Sequence, residues 1–176
     1  EDVPKYLRGP VLSFWVFQII RSYIAQLREN NSQYINDFAR FSTITDELEA
    51  AIGDIHLVFG HNDLLPANLI DDGRRLWLID WDYAGFGSPL FDLANLATNA
   101  SFDESEEDLL VATYFGKKPG RTLKQKFLAM AAASALRETL WSMVSEQLAM
   151  VDHDFSAYTS ENRHRFEMAF LRYDFY

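Results

Sequence analysis

Apolar residues fall at Val11, Leu12, Trp15, Val16, Ile19, Ile20, Tyr23, Ile24 and Leu27. That spacing is the 3.6-residue period of a helix with one buried face. It predicts a helix opened by Pro10 and ended by Asn30-Asn31-Ser32. A second helix is expected over about 34–51, with Ile35, Phe38, Ile44, Leu48 and Ile52 inward and Gly53 as its C-terminal cap. The period then shortens. Residues 55–59, 68–70 and 76–79 are short β-rich runs, and Asp71-Asp72-Gly73 between the last two suits a hairpin turn. Residues 85–89 are expected to form a loop, with Pro89 starting a helix. The acidic run Ser105-Glu106-Glu107-Asp108 reads as another helix start, and residues 116–120 as a loop. A long helix is expected from Thr122 to about Val151, apolar mostly on one side. A last helix follows over 155–170, with Tyr158, Phe166 and Phe170 inward. The pattern predicts a mainly α fold with a small β-hairpin element, in one domain over residues 1–176.

Composition narrows the function classes. A hydrophobic content of 48% excludes a disordered chain. The net charge of -10 repels nucleic-acid phosphates, so nucleic acid is not an expected partner. The same charge favours a small cationic substrate or a site that uses a divalent metal. The absence of cysteine excludes a disulfide framework and a thiolate metal site. No apolar run approaches the roughly 20 residues of a membrane span. Glu1-Asp2-Val3-Pro4-Lys5 lacks the basic and apolar regions of a signal peptide. A cytoplasmic location is therefore the expectation.

The chemistry concentrates in residues 60–95, GHNDLLPANLIDDGRRLWLIDWDYAGFGSPLFDLAN. Phosphoryl transfer needs a carboxylate to take or orient the proton of the attacking hydroxyl, and oxygen ligands to hold Mg²⁺ against the phosphates. His61-x-Asp63-x-x-x-x-Asn68 has the spacing of a kinase catalytic loop, and Asp80 follows a hairpin strand as a kinase metal-binding Asp does. A calcium loop at Asp80-x-Asp82 fails, because Phe91 stands where a bidentate Glu is needed. His153 and His164 have no metal-ligand spacing and are read as solvated.

The chain resembles the aminoglycoside phosphotransferase and choline/ethanolamine kinase superfamily, of protein-kinase-like fold. The resemblance rests on H-N-D-L-x-x-x-N, I-D-W-D-Y-A-G and F-D-L-A-N, in that order, and is nearer to choline and ethanolamine kinases than to antibiotic kinases. It implies ATP and Mg²⁺ as cofactors, Asp63 as catalytic base, and Asn68 and Asp80 as Mg²⁺ ligands. Asp82 matches an acidic position that touches metal-bound water or substrate. His61 is expected to brace the loop backbone, and Asp92 to anchor the catalytic loop by hydrogen bonds. An Asp just after Pro89 also suits a helix dipole.

On the substrate side, a quaternary ammonium is held by aromatic faces and a carboxylate. Tyr83, Trp141 and Tyr158, with Glu138 one helical turn before Trp141, are the candidates. Choline kinases carry more than one Trp near this place, and Glu138 stands where the other is expected, which puts choline itself in question. No Gly-rich loop or strand Lys precedes His61, so the resemblance implies a C-terminal lobe without its nucleotide-gripping N-terminal lobe, inactive by itself. The expected activity of the parent is transfer of the ATP γ-phosphate to the hydroxyl of a small amino alcohol. An aminoglycoside or other hydroxylated-amine kinase, a non-catalytic kinase-like binding module, and a purely structural helical protein are the alternatives.

Overall fold

The architecture was read from a computed structural model that describes residues 3–148 and 155–176. By backbone contacts the chain divides into two compact units. One comprises Glu1–Trp15 and Asp54–Lys124, the other Val16–Gly53 and Gln125–Tyr176.

The first unit carries four short strands: β1 (Val58–Gly60), β2 (Leu69–Asp71), β3 (Leu76–Leu78) and β4 (Gly85–Gly87). β1 and β4 pair antiparallel, with Val58 opposite Gly87 and Gly60 opposite Gly85. β2 and β3 form an antiparallel hairpin, with Leu69 opposite Leu78 and Asp71 opposite Leu76. The Asp72 carboxylate closes the turn by accepting from the Arg74 and Arg75 amides at 2.9 and 3.0 Å, as an Asx-type turn does.

Residues 12–14 are not helical, contrary to the periodicity. They run parallel to β4: the Phe14 amide donates to Phe86 O at 2.8 Å and the Phe86 amide to Leu12 O at 2.9 Å. Leu12, counted as part of an apolar face, is 70% exposed. The pairing depends on Gly85 and Gly87, since a Cβ on either would lie 2.4 Å from Leu12 O or 2.9 Å from Phe14 O. A long-range backbone pairing thus overrides a local period that continues without a break into the next helix. The expected loop at 85–89 is likewise a strand in its first half.

Two helices complete this unit. α3 (Pro89–Asn99) starts at the proline as expected, with the Ser88 hydroxyl accepting from the Leu90 amide as its N-cap. α4 (Glu104–Phe115) opens on a capping box between Asp103 and Glu106. It buries only Glu107 and Val111. Lys124, 5% exposed, reaches Asp108 at 2.7 Å and Glu107 at 3.3 Å.

The second unit is helical. α1 (Val16–Glu29) buries Val16, Phe17, Ile20, Ile24 and Leu27, the period read from the sequence with a later start. α2 (Phe38–Ile52) follows a 3-10 turn at Ile35–Asp37, so Ile35 is half exposed instead of inward. Gly53 caps α2, its amide donating to Glu49 O at 3.3 Å. α5 (Arg121–Leu148) enters this unit at Gln125, and residues 127–137 are buried on every face, not on one side. α6 (Phe155–Asp174) buries Thr159, Asn162 and Phe166, and Phe166 meets Phe41 edge-to-face at 5.6 Å. His164 is exposed. The expected end of α5 near Val151 and the reading of His153 fall outside the described residues.

Candidate active site

The site lies in the first unit, where three polypeptide stretches are tied by main-chain hydrogen bonds. Extending the β2–β3 register one residue beyond Leu69–Leu78 sets Asn68 opposite Ile79, and the Ile79 amide donates to Asn68 O at 3.0 Å. The hairpin therefore delivers Asn68 and Asp80 to the same end, one on each strand. The loop between β1 and β2 folds onto that end. His61 Nε2 lies 2.8 Å from Ile79 O, and the Asp63 amide donates to His61 Nδ1 at 3.3 Å. An accepting Nδ1 fixes the ring proton on Nε2. Asn68 Nδ2 donates to Asp63 O at 3.0 Å, which orients the carboxamide with its Oδ1 left for another partner.

Asp92, on the first turn of α3, accepts from the His61 amide at 2.8 Å and from the Asn62 amide at 2.6 Å. Burial pushes its carboxyl above the usual carboxylate range, against the two amide donors that pull it down. A Cβ at Gly60 would lie 2.7 Å from Asp92 Oδ2, so the glycine makes room for this anchor.

Aromatic packing pins the second loop to the first. The Trp81 ring meets His61 edge-on at 4.9 Å and stacks on Phe59 at 6.4 Å, and its Nε1 donates to Leu78 O at 3.0 Å. Asp80 takes a left-handed backbone, φ 61°, and Asn62 does so too, φ 63°. Such conformations store strain in non-glycine residues and concentrate at functional sites.

The structure thus links Asp63, Asn68, Asp80, His61 and Asp92 through adjoining loops. Asp82 and Tyr83 lie exposed on the turn that follows Asp80. Glu138, Trp141 and Tyr158 belong to the second unit. There Trp141 and Tyr158 meet edge-to-face at 6.3 Å, and Glu138 is ion-paired with the buried Arg137. Two contributors escaped the sequence reading. Asn62 is 1% exposed and donates through Nδ2 to Tyr83 O at 3.0 Å. Trp81 matched a motif position without being given a role. A polar residue flanked by two others in a loop, and a Trp beside a motif Asp, were the available signals.

Among the described residues no three His, Cys, Asp or Glu side chains gather to hold a metal unaided. The hard-oxygen pair of one Asn carboxamide and one Asp carboxylate suits Mg²⁺, which takes few protein ligands and completes its shell with phosphates and water.

The choline/ethanolamine kinase family model matches residues 4–130. Protein LicA of Haemophilus influenzae is 35% identical over 103 residues, covering 57% of this chain and 30% of LicA. The ethanolamine kinase of Drosophila melanogaster is 27% identical over 157 residues, covering 77% of this chain and 28% of that protein. The crystal structure of a choline/ethanolamine kinase family protein from Mesorhizobium loti superposes with a TM-score of 0.78 at 27% identity, over 92% of this chain and 57% of that one. The chain therefore spans well under two thirds of the length of each of these relatives. The mainly α fold with its small hairpin, expected as a kinase-like C-terminal lobe, is the fold found. With the family match extending over most of its length, this chain belongs to the choline/ethanolamine kinase family.

Proposed function

We propose that the full-length protein is an ATP-dependent kinase that phosphorylates the hydroxyl of a small amino alcohol of the choline/ethanolamine type. The observation that carries this reading is the linkage of Asp63, Asn68 and Asp80 through the Ile79 amide, the His61 ring and the Asn68 carboxamide. The linkage runs through main-chain atoms of Asp63, Asn68 and Ile79, and sets the loop that carries Asp63 against the hairpin end that carries Asn68 and Asp80.

In this reading the substrate oxygen attacks the γ-phosphorus of ATP as the bond to the β–γ bridging oxygen breaks. Asp63 takes the hydroxyl proton, and ADP leaves. Asn68 and Asp80 would hold Mg²⁺, which would supply positive charge against the phosphates. Asp82 serves water or substrate at the rim of this site. His61 and Asp92 hold the loop in which Asp63 sits, and Trp81 keeps the second loop against it.

For the amine, Tyr83 is the aromatic candidate of the first unit and the Trp141–Tyr158 pair that of the second. Glu138 is the weaker candidate, because its charge is already matched by Arg137. A metal-dependent turnover assay of the full-length protein with choline, ethanolamine and a set of aminoglycosides tests the acceptor class. Preference for an aminoglycoside overturns it. In the same assay Asp63→Asn is expected to remove nearly all turnover with the fold kept, and activity within about tenfold of wild type refutes the base role.

A further inference from the structure

Asn62 stands between His61 and Asp63 and has no part in the chemistry so far. Its geometry is unusual on three counts. Its backbone is left-handed. Its Nδ2 faces three main-chain carbonyls at once: Tyr83 O at 3.0 Å, Gly85 O at 3.3 Å and Gly60 O at 3.4 Å. Its Oδ1 is buried and has no hydrogen-bond partner among the described residues. Reversing the carboxamide would not relieve this, since it would turn an oxygen onto three oxygens. The side chain is thus held by its donor end alone.

Those carbonyls belong to two different loops. Gly60 O lies at the start of the Asp63 loop, while Tyr83 O and Gly85 O lie on the way out of the Asp80 loop. Asn62 therefore spans the two loops, in addition to the His61–Ile79 contact. The packing around the side chain is tight: Cβ atoms at Gly60 or Gly87 would come within 3.3 or 3.1 Å of Asn62 Oδ1. A strained backbone and an unpaired buried acceptor at one residue are both unfavourable, and such outliers point to a positional demand.

We propose that Asn62 is a positioning residue that fixes the register of the Asp63 loop against the Asp80 loop. It acts through the carboxamide N–H groups and touches neither substrate nor metal. This rests on the proposed roles of Asp63 and Asp80.

The test uses full-length protein as wild type, Asn62→Gly, Asn62→Ser and Asp63→Asn. Val111→Ala serves as a control that loosens the buried face of α4. Glycine accepts the left-handed backbone without strain, so Asn62→Gly removes the clasp, together with the side chain's buried volume, while keeping the backbone conformation. Turnover is measured alongside Mn²⁺ binding in the presence of ADP by electron paramagnetic resonance, which reads the metal loop without catalysis. Asn62→Gly is expected to lose roughly 10²-fold in kcat with little change in the KM for the amine. Its Mn²⁺ affinity is expected to fall at least about tenfold. Asn62→Ser, with one donor, falls between, and it decides the matter if the glycine variant does not fold. Val111→Ala is expected to melt earlier with kcat per folded molecule unchanged.

An Asn62→Gly protein that melts earlier but keeps wild-type kcat and Mn²⁺ affinity overturns the proposal, and leaves a merely structural residue. If Asp63→Asn keeps turnover, the base assignment fails instead, and the Mn²⁺ arm alone then decides for or against Asn62.

Discussion

Asp92 shows how much of the candidate site depends on residues that do no chemistry. Its two carboxylate oxygens accept two successive amides of the His61 loop. An amide side chain offers one acceptor and sets an N–H against the other donor. Asp92→Asn is therefore expected to displace the loop and lower kcat by about tenfold to 10²-fold in the full-length protein. The same carboxyl gives a pH signature. Its folded-state pKa is raised, so the folded protein holds this proton more tightly than the unfolded chain. The stability it contributes is complete below the ordinary Asp value of about 4 and is lost as pH rises through the raised value. Thermal melts of wild type across that window should carry this downward slope, and Asp92→Asn should lack it. At this scale the sequence marks His61, Asp63, Asn68 and Asp80 by their motif spacing, and the structure sets them on adjoining loops. The sequence carries only a weak sign of Asn62, two of whose three carbonyl partners lie more than twenty residues away and leave no mark on residue type.

Among the elements, α4 is held in an unexpected way. Leu109 and Tyr114, two of its large apolar residues, are 68% and 50% exposed, while Glu107 is buried against Lys124. The helix start was legible because capping chemistry is local: Asp103 accepts from the Ser105 and Glu106 amides. The docking was not legible, since one of its two buried residues is Glu107, whose ion-pair partner Lys124 lies seventeen residues along the chain. Lys124→Met keeps the bulk and removes the buried positive charge that faces Asp108 and Glu107. It is expected to destabilise by roughly 3–5 kcal/mol in denaturant unfolding, and a neutral result refutes the ion-pair account. β4 was missed for a related reason. Two glycines in three residues argue against a strand, yet here they admit the chain at residues 12–14. Gly85→Ala should lower stability by about 1–3 kcal/mol or more, because the obstructing atom is a main-chain oxygen that has little freedom to move. An unchanged melting temperature would refute that view. By contrast, the hairpin turn, the Gly53 cap and the Pro89 start all rest on neighbours within a few residues, and each was read correctly.

For the molecule as a whole, the question is how a fold persists at 27% identity with a TM-score of 0.78. Buried periodicity accounts for the helical unit, since many apolar sets fill the same core when total volume and pattern are kept. The loops need another explanation, and Ile79 supplies it. Both of its peptide groups are engaged, the amide with Asn68 O and the carbonyl with the His61 ring, while its side chain is 41% exposed. The junction is thus written in backbone, which every residue but proline shares. In a library randomised at position 79, most substitutions should leave the folded loop arrangement intact, with proline the outlier in melting temperature. Drift in sequence can pass through the middle of this site without altering its shape, so the geometry is inherited separately from the letters that surround it.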